Sequence, residues 1–143
     1  MPSDCPAVRR LWREAGLGVG PSDTPAALER TRRRDPDLFL VAESEGRLVG
    51  AALGRFDGRR GTINHLAVAR EVRSRGLGAR LVREVERRLT AKGCAKLNLH
   101  VEPSNAGVIR FYETVGYRRR EMLFLEKWLI GGPTASARNG SGR

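Results

Sequence analysis

The sequence predicts an α/β domain on a mixed sheet, antiparallel where strands follow directly and parallel where helices cross over. Three observations carry that prediction. Amphipathic stretches with helical spacing open the chain. Period-two apolar runs separated by tight-turn residues occupy its middle. Past residue 68, helices and short strands alternate, so that the order reads α-α-β-β-β-α-β-α-β.

The first helix is SDCPAVRRLWREAGLG. Asp4 can cap it, Pro6 is tolerated in its first turn and Gly16 lies near its end. Val8, Leu11, Trp12 and Ala15 fall on one face. The second helix, in PSDTPAALERTRRRDPD, is capped by Asp23 or Thr24 with Pro25 at its first position. It ends in arginines, where the helix dipole favours cations.

From Leu38 the period changes to two. LFLVAES, Glu45-Gly46 and RLVGAALGRF read as two strands joined by a tight turn. Asp57-Gly58 is a second hairpin signal and leads into TINHLAV. A helix follows from about Gly76 to Lys92, with Leu77, Leu81, Val82, Val85 and Leu89 on one face. GCAKLNLHVE contains the next strand, with Cys94 at its entrance, and SNAGVIRFYETVG is a helix. YRRREMLFLEKWL is expected to close the domain with one or two strands. One domain thus spans residues 1–130, and the tail 131–143, almost without large apolar residues, is expected to be disordered.

Composition narrows the function classes. The chain has 143 residues, enough for one domain with a core, and 40% hydrophobic and 30% charged residues suit an ordinary globular protein. No apolar run approaches the roughly 18–20 residues that cross a bilayer. The N-terminus has no apolar signal core, so a cytoplasmic location is expected. Cys5 and Cys94 form no metal-ligand pattern and are too few for a disulfide framework. The net charge of +11 favours polyanionic partners such as nucleic acid, acidic protein or a phosphate-rich small molecule. The skew to 24 Arg over three Lys is also what a GC-rich genome produces. Arg32–Arg34 and Arg118–Arg120 lack interleaved aromatics, which argues against a nucleic-acid groove.

Two clusters carry chemistry. The first is RSRGLGA, placed directly after a strand. A helix N-terminus offers unpaired N–H groups and partial positive charge, and Gly76 and Gly78 leave the backbone bare to a phosphate. Arg73 and Arg75 add charge. The spacing is neither a P-loop nor G-x-G-x-x-G. The second is PSNAGVIRFYETVGY. Asn105 and Tyr112 are seven residues apart and are expected on one helix face, lining a groove. Phe111 and Tyr112 project about 100° apart, so Phe111 is expected inside and Tyr112 in the groove.

Arg73-x-x-Gly76-x-Gly78 after a strand ending in LAV, followed by Asn105, Phe111-Tyr112-Glu113 and Gly116-Tyr117, resembles the GNAT family of acetyl-CoA-dependent N-acetyltransferases. The likeness runs from about Leu38 to Leu129. DGRRG, GCAKLNLHV and the final LEKWL further resemble the small bacterial YpeA-like subgroup. The resemblance implies a GNAT fold, which begins with a strand, yet only MPS precedes Asp4: either the true start lies upstream or that first strand is missing. LFLVAES would then have an open edge that invites a homodimer.

The resemblance also implies site roles. The backbone of Leu66, Ala67 and Val68 would pair with the pantetheine arm of acetyl-CoA like an added strand. The amides of Arg73, Ser74, Arg75, Gly76, Leu77, Gly78 and Ala79 would hold the pyrophosphate. Asn105 would touch the arm, and Tyr112 would sit beside the thioester sulfur. As a phenol with pKa near 10, Tyr112 is the expected general acid. The Leu66 N–H is the candidate donor to the acetyl oxygen.

In KLNLHVE, Leu97, Leu99 and Val101 alternate with Asn98, His100 and Glu102. A polar face on what should be a central strand is expected to border a cleft. His100 is therefore the candidate base, directly or through water, with His65 second. Glu102 and Glu43 read as strand-end charges. The expected function is acetyl transfer from acetyl-CoA to a primary amine by direct attack on the thioester, with no metal. The alternatives are a non-catalytic acetyl-CoA-binding regulatory domain and a basic nucleic-acid-binding protein. The acceptor, small molecule or protein amine, stays open.

Overall fold

The computed structural model describes residues 4–14, 24–73, 75–101 and 103–131. Two helices precede the sheet: α1, Asp4–Glu14, and α2, Pro25–Arg34. Val8, Leu11 and Trp12 of α1 are buried, as their shared face predicts. Asp4 already belongs to the helix, and its side chain and that of Cys5 lie outside the described residues, as do Ala15 and Gly16. Thr24 caps α2, accepting a hydrogen bond from the Ala27 amide at 3.1 Å, and Pro25 follows at the first helical position. The arginines ending α2 are tied to their own chain. Arg32 and Arg33 hold Glu29, whose carboxyl their hydrogen bonds push down to about 2, and Arg34 donates to the Phe56 carbonyl.

The sheet order is β1-β2-β3-β4. β1, Phe39–Ser44, pairs antiparallel with β2, Arg47–Phe56, through a turn at Glu45-Gly46 in which both residues have positive φ, 53° and 76°. That geometry matches the right-handed twist of the strands it joins. β2 pairs antiparallel with β3, Gly61–Val68, and the Asp57 carboxylate accepts from the Arg59 and Arg60 amides in the connecting turn. β4, Leu97–Asn98, pairs parallel with β3 at Gly61 and Thr62. The expected mixed sheet is present.

β2 is packed on both faces. Val49, Ala51 and Leu53 belong to a core with Val8, Leu11, Trp12 and Leu28. On the other face Ala52 joins a second core with Leu81, Val82, Val85 and Leu89 of α3, Leu77–Ala91. Glycine lets α3 come close. A Cβ at Gly54 would lie 2.9 Å from Val85 Cγ1, and one at Gly50 would lie 3.1 Å from Leu81 Cδ1.

α3 and α4, Ala106–Thr114, end in the same way. Gly93 (φ 92°) and Gly116 (φ 105°) take left-handed conformations, and the next residue donates back to the last turn: Cys94 N to Leu89 O and Tyr117 N to Tyr112 O, both 3.0 Å. This is the Schellman motif with its apolar contact, supplied at α4 by the rings of Tyr112 and Tyr117, 5.4 Å apart. Cys94 therefore belongs to the end of α3 rather than to a strand entrance.

Two expectations are corrected. The strand at GCAKLNLHVE shrinks to Leu97–Asn98 and lies at a sheet edge among the described residues, so its polar face does not mark a buried cleft. Residues 117–129 form no strand. Met122, Leu123, Phe124, Leu125, Leu129 and Ile130 are each more than 60% exposed. A two-residue ladder offers too few backbone groups for a closing strand to pair with. Gly131 is described and exposed, and the rest of the expected disordered tail lies outside the described residues.

Candidate functional site

β3 does not alternate regularly. Ile63 faces the α3-side core, and a strict period of two would put His65 and Ala67 there too. Instead Ala67 joins the α1-side core, while Leu66 and Val68 pack on the α3 side. The pairing shows why: Ala51 meets Ala67 but Leu53 meets Asn64, so β3 carries one extra residue. This bulge centres on His65, at φ 53°, and reverses the parity of everything after it. The His65 ring stacks on Trp12 of α1, centroids 4.3 Å apart and 24° from parallel.

The ladder to β4 stops at Thr62, just before the bulge. From Ile63 to Val68 the edge of β3 facing away from β2 has no ladder partner among the described residues. Leu66, Ala67 and Val68 thus lie on the stretch of this edge beyond the β4 ladder.

Beyond β3 the chain makes a 3-10 turn, Arg70–Val72, and Arg73 folds back so that its Nε donates to the Val68 carbonyl at 3.1 Å. Arg73 therefore braces the loop as well as charging it. Arg75 is exposed, and Ser74 lies outside the described residues. Gly76, at φ 81°, immediately precedes α3 and bears its first helical acceptor, bonded by Arg80 N. The Leu77, Gly78 and Ala79 amides consequently have no partner within the helix.

The two glycines have different reasons. Gly76 is needed for its backbone conformation, and a Cβ there would meet nothing within 4 Å, so the loop opens to solvent. Gly78 instead makes room for Phe111, whose Cζ would lie 3.3 Å from an added Cβ, with Val68 Cγ2 at 3.7 Å. The end of β3, the start of α3 and α4 converge at this point.

On α4 the expected orientations exchange. Tyr112 is 7% exposed and packs in the α3-side core, whereas Phe111 is half-buried against Gly78. The closing turn at Gly116 explains this, because it folds Tyr117 onto Tyr112 and anchors the Tyr117 hydroxyl on Glu86 Oε2 at 2.7 Å. Burial pushes the Tyr112 phenol up to about 12. Tyr117 is raised as well, by burial and then by its bond to Glu86. Asn105 is the cap of α4, its Oδ1 accepting from Val108 N at 3.4 Å, and it is exposed. It therefore does not share a helical face with Tyr112.

His100 is exposed, its ring 4.8 Å from that of Phe124. Leu97, Leu99 and Val101 do pack against the core, so the alternation holds. Glu102 lies outside the described residues. A cavity of about 280 Å³ opens on the α1 side of the β3 end, lined by Leu11, Glu14, Val68 and Arg70 among others. No group of three or more metal-ligating side chains occurs among the described residues, nor any helix long and apolar enough to cross a membrane. Sequence reasoning missed Trp12 as a neighbour of the site. The signal was present in the apolar parity, odd at Ile63 and even at Leu66 and Val68.

Known proteins share this arrangement. Residues 5–117 match the model of the Acetyltransferase (GNAT) family. An acetyltransferase of Yersinia enterocolitica is 39% identical over 128 residues, covering 90% of this chain and 91% of that protein. The structure resembles Ard1 from Thermoplasma volcanium, with TM-score 0.77 and 25% identity over 86% of this chain and 82% of that one. It also resembles the PaiA N-acetyltransferase of Thermoplasma acidophilum, solved in complex with coenzyme A, with TM-score 0.76 and 18% identity over 85% and 87% of the two chains. The bulged third strand, glycine loop and Tyr112 helix thus stand in a chain that belongs to the GNAT acetyltransferase family and is an acyltransferase.

Proposed function

We propose that the chain transfers the acetyl group of acetyl-CoA to a primary amine by direct attack on the thioester, and that it falls in the YpeA-like subgroup. One observation carries this reading: the open β3 edge and the bare helix-start amides converge at the Val68–Gly78–Phe111 contact, with the buried Tyr112 ring 5.1 Å from that of Phe111. These residues fit a thioester bearing a diphosphate. The Gly76 loop is open where a Cβ would meet nothing, and its amides and arginines match a diphosphate in charge.

Acetyl-CoA supplies the activated acetyl group. The Leu77–Ala79 amides, with Arg73, Ser74, Arg75 and Gly76, hold the diphosphate. The backbone of Leu66, Ala67 and Val68 accepts the pantetheine arm as an added strand, and Asn105 contacts it. The Leu66 N–H donates to the acetyl oxygen. As the amine nitrogen bonds to the carbonyl carbon and the carbon–sulfur bond breaks, the amine proton passes to His100, directly or through water. Tyr112 returns a proton to sulfur. With its pKa raised to about 12, that phenol stays protonated throughout the neutral range, as a donor requires.

The test is a thermal shift with acetyl-CoA, followed by thiol release across an amine panel. At a hundredfold excess over Kd, about 2.7 kcal/mol of stabilisation is expected. Tyr112→Phe should lower kcat by about 100-fold. Absence of stabilisation by acetyl-CoA, together with a Gly76→Val variant whose affinity is unaltered, overturns the reading.

A further inference from the structure

His65 holds a conformation that strands avoid. A non-glycine residue in the left-handed region is uncommon and persists only where its surroundings impose it. Were His65 to relax into the β region, the parity of β3 would revert and Leu66 and Val68 would leave the α3-side core. Among the contacts that hold it is the Trp12 ring, stacked against the imidazole. Trp12 is fully buried among Val8, Leu28, Val49, Ala51 and Leu53, yet its Nε1 has no hydrogen-bond partner. A buried N–H without a partner is unfavourable, and Leu or Phe would fill an ordinary core site without that penalty. The indole is therefore accounted for by its flat face.

We propose that the Trp12–His65 stack is a positioning device. It locks the left-handed backbone at His65 and thereby aims the Leu66 amide into the space between β3 and β4, where it polarises the acetyl carbonyl of the donor. This rests on the acetyl-CoA reading above and extends it: His65 acts through the main chain and not as a proton acceptor. α1 becomes part of the catalytic support, although its side chains enter the core rather than the cleft.

The experiment records the carbonyl 13C resonance of [1-13C]acetyl-CoA bound to the chain, with affinity for coenzyme A measured separately. Wild type should displace the resonance downfield from its free position. His65→Val, whose branched side chain resists positive φ, should return it to the free position in protein saturated with acetyl-CoA, while coenzyme A still binds through the Gly76 loop. With any amine the wild type acetylates, kcat of His65→Val at saturating acetyl-CoA should fall about 100-fold. His65→Asn and His65→Gly, which tolerate the left-handed region, should restore both resonance and rate. Trp12→Leu, which removes the flat ring and leaves a cavity in the core, should lose the displacement in protein that remains folded. Should Asn and Gly fail as Val does, or should Val retain the displacement, the inference is overturned while the donor reading stands. Failure of the wild type to bind acetyl-CoA overturns both.

Discussion

β2 and β3 lie side by side in the sheet but are built differently. β2 runs ten residues with both faces packed, apolar side chains toward α1 and α2 and glycine or alanine toward α3. β3 starts the same way, then takes in an extra residue at His65, changes parity and, past Thr62, has no ladder partner on one edge among the described residues. A strand filled on both sides has one register available to it. A strand that is diverted frees backbone groups that a ligand can take up. Packing thus concentrates in β2, and the open backbone that the proposed donor site uses lies in the far half of β3, with Gly78 and Phe111 beside it.

The largest effect that could break this division is in β2. Gly54→Leu forces side-chain atoms into Val85 and Leu38, and should lower the unfolding free energy by about 3 kcal/mol in chemical denaturation. Coenzyme A affinity of the protein that remains folded should not change. A parallel loss of affinity would show that the two strands are not separable.

Next in size is an alkaline effect from the α3-side core. Tyr112 is raised from 10.0 to about 12 in the folded chain, so its contribution to stability is complete below pH 10. It is lost as pH rises from 10 through 12, amounting to about 2.7 kcal/mol. Tyr117 acts in the same direction. Comparing denaturation of wild type and Tyr112→Phe across that range isolates the Tyr112 share, and parallel curves would refute it.

Smaller effects sharpen the picture on the site side. Gly76→Ala places a Cβ at φ 81°, and should weaken coenzyme A by about fivefold, equivalent to about 1 kcal/mol. Titration calorimetry would measure it. Tyr117→Phe removes the 2.7 Å bond to Glu86 and should destabilise by about 0.5–1 kcal/mol, with coenzyme A affinity retained. A larger loss of affinity would mean that the α3–α4 tie also shapes the loop.

Local chemistry made much of the fold legible. Thr24 and Pro25 started α2 where capping rules place them, Glu45-Gly46 made the hairpin, and α3 buried Leu81, Val82, Val85 and Leu89. Gly76 marked the helix start from which the donor site was inferred. The failures share a cause. Phe111 and Tyr112 are adjacent large aromatics of equal local promise, and only Gly78 on one side and the folded-back Tyr117 on the other assigned their places. Residues 117–129 have strand-like composition, but pairing depends on an edge elsewhere in the chain, and β4 provides just two residues.

By itself, then, the sequence determined the helices, hairpins and glycine loop, because capping, turn geometry and apolar periodicity act between residues a few positions apart. The tertiary structure alone decided that β3 would bulge at His65, that Tyr112 would turn inward and that Trp12 of α1 would stack on His65. Each of these depends on which surfaces meet across the sheet. A left-handed residue in a strand is unfavourable in isolation, and the ring stacked on this one belongs to a residue 53 positions away in the chain.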